Sequence, residues 1–90
     1  MFNFETVKTF LADNYPQAIL IDGFDEALVG ICERIGQESI ALYDKTKILN
    51  ILINGDKMSR DEADEYFEYN IIGAYVGEGT PAFVTYPQYL

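Results

Sequence analysis

The sequence predicts an α+β fold: a small antiparallel sheet, made of a central hairpin and a C-terminal strand, with about three helices packed on it. Three observations lead there. Two apolar runs, "EALVGICERI" and "ESIALYD", flank Gly36-Gln37 as the arms of a β-hairpin. "SRDEADEYFEYN" opens with an S-x-x-E capping signal and contains only competent helix residues through Tyr69. Near the end, "AFVTY" follows a glycine-rich stretch and supplies a last strand.

The elements follow in order. Asn3 is placed to cap a first helix, in which Phe4, Val7, Phe10 and Leu11 recur at helical spacing, and Pro16 follows its end. "AILI", Ala18 to Ile21, reads as a strand or an extended connector, and "DGFD" as a turn. In the first hairpin arm Val29, Ile31, Glu33 and Ile35 alternate with Leu28, Gly30, Cys32 and Arg34, which predicts one strongly apolar face. "KTKILNILINGDKM" has the isoleucines of a strand. Its Ile48, Leu49, Leu52 and Ile53 nevertheless fit a helical stripe that Asp44 caps and Gly55 ends, so helix is the expectation. On the helix after Ser59, Ala63, Tyr66, Phe67 and Asn70 form the predicted core face, with Asp61, Glu65 and Glu68 opposite.

Composition narrows the chemistry. Residues 1–90 make a single globular domain, and 49% apolar residues are those of a folded chain. Fifteen acids against six bases give a net charge of −9, which opposes direct binding to nucleic acid or to an anionic membrane and favours cationic partners. One cysteine allows no internal disulfide. With no histidine in the chain, Cys32 has no obvious base and reads as a buried, inert thiol. No zinc set exists, and "DGFDE" lacks the alternating acids and twelfth-position Glu of a calcium loop. No cofactor and no catalytic residue is expected, and the chain does not read as an enzyme. The N-terminus lacks a cationic leader and no apolar run reaches membrane-spanning length, so a soluble cytoplasmic protein is expected.

What remains is a candidate contact face. The carboxylates Asp61, Glu62, Asp64, Glu65 and Glu68 on one helix can imitate a row of phosphates, against the bland alternative of a solvated helix face. Tyr69 lies beside the acids, and Ile72 joins it if the helix continues; an exposed aromatic rimmed by acids suits a protein contact. Asn70 is expected to lock the helix stop to the glycine-rich return that follows. "GEGTPA" matches G-x-G-x-x-A, but a helix precedes it and Pro81 follows, so a dinucleotide site is rejected.

The blocks "IDGFDEALVGI", "ALYDKTKILNIL", "MSRDEADEYFEYN" and "GAYVGEGTPAF", from about Ile19 to Val84, resemble small uncharacterised accessory proteins of tailed bacteriophages. The resemblance implies expression in a bacterial host cytoplasm and transfers no catalytic residue. It turns the acidic face into an expectation. Asp61, Asp64, Glu65, Glu68, Tyr69 and Ile72 would bind and inhibit a host protein, a nucleic-acid-binding defence complex being the case that charge mimicry fits. Two alternatives stand beside it: a self-associating module, such as a homodimer, or a small-molecule or nucleotide binder using a pocket under the 73–81 loop, lined by Tyr66, Tyr75 and Phe83.

Overall fold

A computed structural model describes residues 3–90. Helix α1 spans Phe4–Asn14 and starts where expected, with the Glu5 N–H donating to the Asn3 side chain at 2.8 Å. It buries Val7 and Leu11 in the core. Of the two readings of Ala18 to Ile21, the connector is the one adopted. Its N–H groups enter no strand ladder: Ile19 donates to the Gly79 carbonyl at 3.0 Å and Ile21 to the Tyr43 hydroxyl at 2.9 Å. A single 3₁₀ turn, Asp25–Ala27, then leads into the sheet.

Strands β1 (Leu28–Arg34) and β2 (Gln37–Asp44) form the hairpin. Arg34 pairs with Gln37, so the two-residue turn is Ile35-Gly36, one position earlier than the sequence indicated, with Gly36 at φ +74°. The predicted alternation on β1 breaks. Leu28 faces Tyr43 but Gly30 faces Leu42, so Val29 is an extra residue that slips the pattern by one. Leu28 and Ile31 therefore both reach the core, while Glu33 is exposed and Ile35 stands wholly in solvent at the turn. A second shift between Cys32 and Arg34 returns one residue on β2.

The third strand corrects the sheet. β3 (Ala82–Val84) pairs with β2 in parallel, Tyr43 beside Phe83, so the order β1-β2-β3 is mixed rather than antiparallel. The cause is the route of the chain. β2 passes directly into helix α2 (Lys45–Gly55), and the helices that follow carry the chain back to enter the sheet in β2's own direction. The α+β class stands, with three α-helices and three strands among the described residues.

Asp44 caps α2 by accepting the Lys47 N–H at 3.3 Å, and Ile48, Leu49 and Leu52 are buried. The left-handed residue after α2 is Lys57, φ +61°, rather than a glycine. Helix α3 (Arg60–Tyr66) begins with the predicted capping box: Glu62 N–H donates to Ser59 Oγ at 3.1 Å, and Ser59 N–H to Glu62 Oε1 at 2.8 Å. All three helices contribute to one core with Leu28, Ala41 and Tyr43 of the sheet.

Tyr43 is fully buried at the centre of that core. Burial pushes its phenol pKa up from the ordinary 10.0, outweighing the Ile21 N–H that favours the phenolate. The Lys8 ammonium is also raised, by its hydrogen bond to Asp25 at 3.1 Å. Both folded values lie above the unfolded ones. Their stabilisation is therefore complete below pH 10 and is lost as pH climbs through the folded values. Urea denaturation across this alkaline window should show wild-type stability falling steeply. Tyr43→Phe should start about 1 kcal/mol lower at neutral pH, because the Ile21 N–H loses its acceptor, and should fall less steeply. Parallel curves for the two proteins would contradict this role for Tyr43.

Candidate functional site

Five residues after α3 extend the same helix as a π-turn, Phe67–Ile71, closed by Ile72 N–H donating to the Phe67 carbonyl at 2.8 Å. The wider turn decides which side chains face inward. Ala63 and Phe67 are fully buried as predicted, but the next inward residue is Ile71, and Asn70 faces solvent. Asn70 therefore does not lock the helix stop. Gly73 ends the helix, in a position where a Cβ would press the Glu68 carbonyl oxygen at 2.8 Å. Tyr66, predicted inward, is 38% exposed.

The outward side carries the predicted face. Tyr69 is 78% exposed and Ile72 51%, and Asp61, Glu65 and Glu68 are exposed around them, with Asp64 partly covered. The helix bearing them is anchored by Phe67. Its ring meets Phe83 edge-on at 5.2 Å, and Phe83 in turn packs on Tyr43 at 6.1 Å. On its other side, the Lys45 ammonium sits 4.8 Å above the Phe67 ring.

The carboxylates are not a free row. Glu62 is bound into the capping box, Asp64 pairs with Arg60 at 3.3 Å, and Glu68 lies 3.8 Å from Lys45. Asp61 and Glu65, one helical turn apart, are the members of the row with neither an ion pair nor a capping hydrogen bond among the described residues. The pairs are solvent-exposed and contribute little to stability, but they reduce the outward field. The five carboxylates are thus two free charges, two ion-paired ones and Glu62, which keeps its charge within the capping box.

The glycine-rich return is tied down by backbone and side chain together. Thr80 Oγ1 accepts the Val76 N–H at 3.0 Å and donates to the Gly77 carbonyl at 2.6 Å, around Gly77 at φ +113°. Arg34 donates to the Glu78 carbonyl at 3.1 Å, clasping the loop to the hairpin, and Gly79 lies flat on the connector. A groove of about 700 Å³ does lie beside this loop, but its walls include Tyr15, Gln17, Arg34, Ile40 and Glu78. Tyr66, Tyr75 and Phe83 do not line it. Phe83 is turned into the core, and Tyr75 is 73% exposed. Tyr75 and Val76, both exposed, continue the apolar surface in sequence beyond Ile72; nothing in the hydrophobic pattern marked them as outward.

Other candidates resolve simply. Cys32 is only half-buried, on β1 opposite Ile40. In "DGFDE" the Asp25 carboxylate is occupied by Lys8, and no group of three or more metal-ligating side chains converges among the described residues. Among the described residues no helix is long and apolar enough to cross a membrane. Comparison with known proteins adds no relative: no family model, curated protein or solved structure matches the chain.

A Cβ at Gly79 would collide with the Gln17 carbonyl oxygen, which is backbone and has little freedom to retreat. Gly79→Ala should lower stability by about 1–3 kcal/mol, the cost of overpacking a closed contact, read as a fall in the urea midpoint. An unchanged midpoint would show that the loop is not docked on the connector.

Proposed function

We propose that this chain is a non-enzymatic accessory protein that works by binding another protein through the outward face of α3, its π-turn and the Ile72 cap. Tyr69 and Ile72 are its anchors, Asp61 and Glu65 its free charges, and Asp64 and Glu68 its rim. The observation that carries the reading is the exposure of Tyr69 and Ile72 on a helix whose opposite side is held in the core by Phe67. Large side chains presented on a pre-ordered element bind with little ordering cost.

The partner on this reading presents a basic rim around an apolar depression. Carboxylates steer such encounters and set their salt dependence, while the buried anchors set the lifetime of the complex. The bacteriophage resemblance supplies the setting, a host protein in a bacterial cytoplasm. Inhibition follows where the occupied surface is one the host protein needs. A nucleic-acid-binding complex remains the fitting target class, through two free carboxylates and an aromatic anchor rather than a long charge row.

The test is capture from bacterial lysate by the wild type and two variants, at low and high salt. Tyr69→Ala with Ile72→Ala should weaken retention of the captured protein by roughly thirtyfold or more, since one strong anchor contributes about 2 kcal/mol. Asp61→Asn with Glu65→Gln should chiefly slow association and flatten the salt dependence. If both folded variants hold the same protein as tightly as the wild type, the face is wrong.

A further inference from the structure

Asp22-Gly23 and Asn54-Gly55 are the places in the chain where an aspartate or asparagine precedes a glycine. Both carry the same latent chemistry. The backbone nitrogen of the glycine can attack the side-chain carbonyl carbon before it and close a cyclic imide, because glycine puts no Cβ in the way. In an unfolded chain Asn-Gly reacts first, since an amide is a better electrophile than an ionised carboxylate. The fold reverses that order.

Asn54 and Gly55 end helix α2, and the helix is still closed one residue later, where the Asp56 N–H donates to the Leu52 carbonyl at 3.2 Å. Ring closure there requires turning ψ of Asn54 well away from the helical value of about −42°, which breaks the hydrogen bonds of the last turn. Asp22 and Gly23 stand instead in the turn between the connector and the 3₁₀ turn, and both are exposed. Neither the Asp22 carboxylate nor the Gly23 N–H has a hydrogen-bond or ion-pair partner among the described residues. Gly23 has φ +89°, and the space that a Cβ would take is empty to 4 Å, so the side chain and water reach the peptide bond without obstruction. The turn is tied at both ends, by Ile21 N–H on the Tyr43 hydroxyl at 2.9 Å and by Lys8 on Asp25 at 3.1 Å.

We propose that Asp22 is a site of spontaneous isomerisation to isoaspartate, through a succinimide formed with Gly23. The Gly23 nitrogen bonds to the Asp22 side-chain carboxyl carbon, and the carboxyl's hydroxyl leaves with the amide proton as one water. Water then opens the ring. Attack at the side-chain carbonyl restores aspartate. Attack at the main-chain carbonyl leaves the chain running through Cβ and Cγ, with the former main-chain carbonyl a free α-carboxylate. Nothing is oxidised or reduced, and the composition of the chain is unchanged. The product carries one extra main-chain carbon between Ile21 and Asp25, both of which are held. Lengthening a stretch fixed at both ends disturbs the fixings, and the one at Ile21 reaches the buried Tyr43. The site is independent of the α3 face, so either can fail without the other.

The experiment ages the full folded chain in neutral buffer below its unfolding temperature, beside a sample held unfolded in guanidinium chloride. Peptide mapping, with methyl transfer by an isoaspartyl carboxyl methyltransferase, locates the product. In the folded sample isoaspartate should build up at residue 22 while Asn54 keeps its amide; in the unfolded sample Asn54 should convert first. Asp22→Glu keeps the charge but needs a larger, slower-forming ring, and should stay unmodified at that position. Aged wild type should unfold at a lower urea concentration than fresh protein, and aged Asp22→Glu at the same concentration as before. Loss of the Asn54 amide ahead of Asp22 in the folded sample would overturn the site. So would a folded sample without isoaspartate once the unfolded one has formed it at residue 22. An unchanged midpoint in wild type that carries isoaspartate would overturn the link to Tyr43.

Discussion

The column of rings Tyr43–Phe83–Phe67 is the constraint on which the rest of this small structure depends. Phe83 stands in the middle, 6.1 Å from Tyr43 and 5.2 Å from Phe67, and so joins β2, β3 and the α3 helix through one side chain. Aromatic contacts of this kind contribute about 0.5–1.5 kcal/mol each beyond the area they bury. In ninety residues, with a modest core, that is a large share of the margin. The chain's connections radiate from the same point. The Tyr43 hydroxyl holds Ile21, Ile19 on the same connector holds Gly79, and the loop ending at Gly79 leads straight into β3.

That arrangement separates two properties a contact face needs. Phe67 fixes where the face is, and its outward neighbours Tyr69 and Ile72 are left in solvent. The charges have been divided between inside and outside uses. Glu62 starts the helix, Asp64 and Glu68 meet basic side chains of this chain, and Asp61 and Glu65 are left without either role among the described residues. A net charge of −9 is therefore a poor measure of what the face presents. Net charge governs solubility and encounter in general, while on the proposed reading Tyr69 and Ile72 would govern what stays bound.

Features set by neighbours in sequence were legible before the structure. Asn3, Asp44 and the Ser59/Glu62 box are caps whose partners lie two or three residues away, and each forms as expected. Features set by a single inserted residue or a distant partner were not. The bulge at Val29 and the π-turn at Phe67 each add one residue to a regular pattern, which brings Leu28 into the core beside Ile31 and exchanges Asn70 for Ile71. Periodicity alone cannot register such a slip. The parallel pairing of β3 depends on the route of two helices, and the Lys45–Glu68 pair on how α2 meets the next helix. The site was half legible for the same reason. Tyr69 was placed by helical spacing and Ile72 only on the condition that the helix continued, while the partial pairing of the acids and the outward Tyr75 required the tertiary structure.

The measurement that bears most directly on this account is native-state hydrogen exchange of the isolated protein under increasing denaturant. If the aromatic column carries core stability out to the contact face, the inner amides from Ala63 to Ile71 and those of β2 from Ala41 to Tyr43 should open together, at one common free energy. Exchange of the 63–71 amides through a separate opening of much lower free energy would contradict it, and would make the face a segment that orders only when its partner arrives.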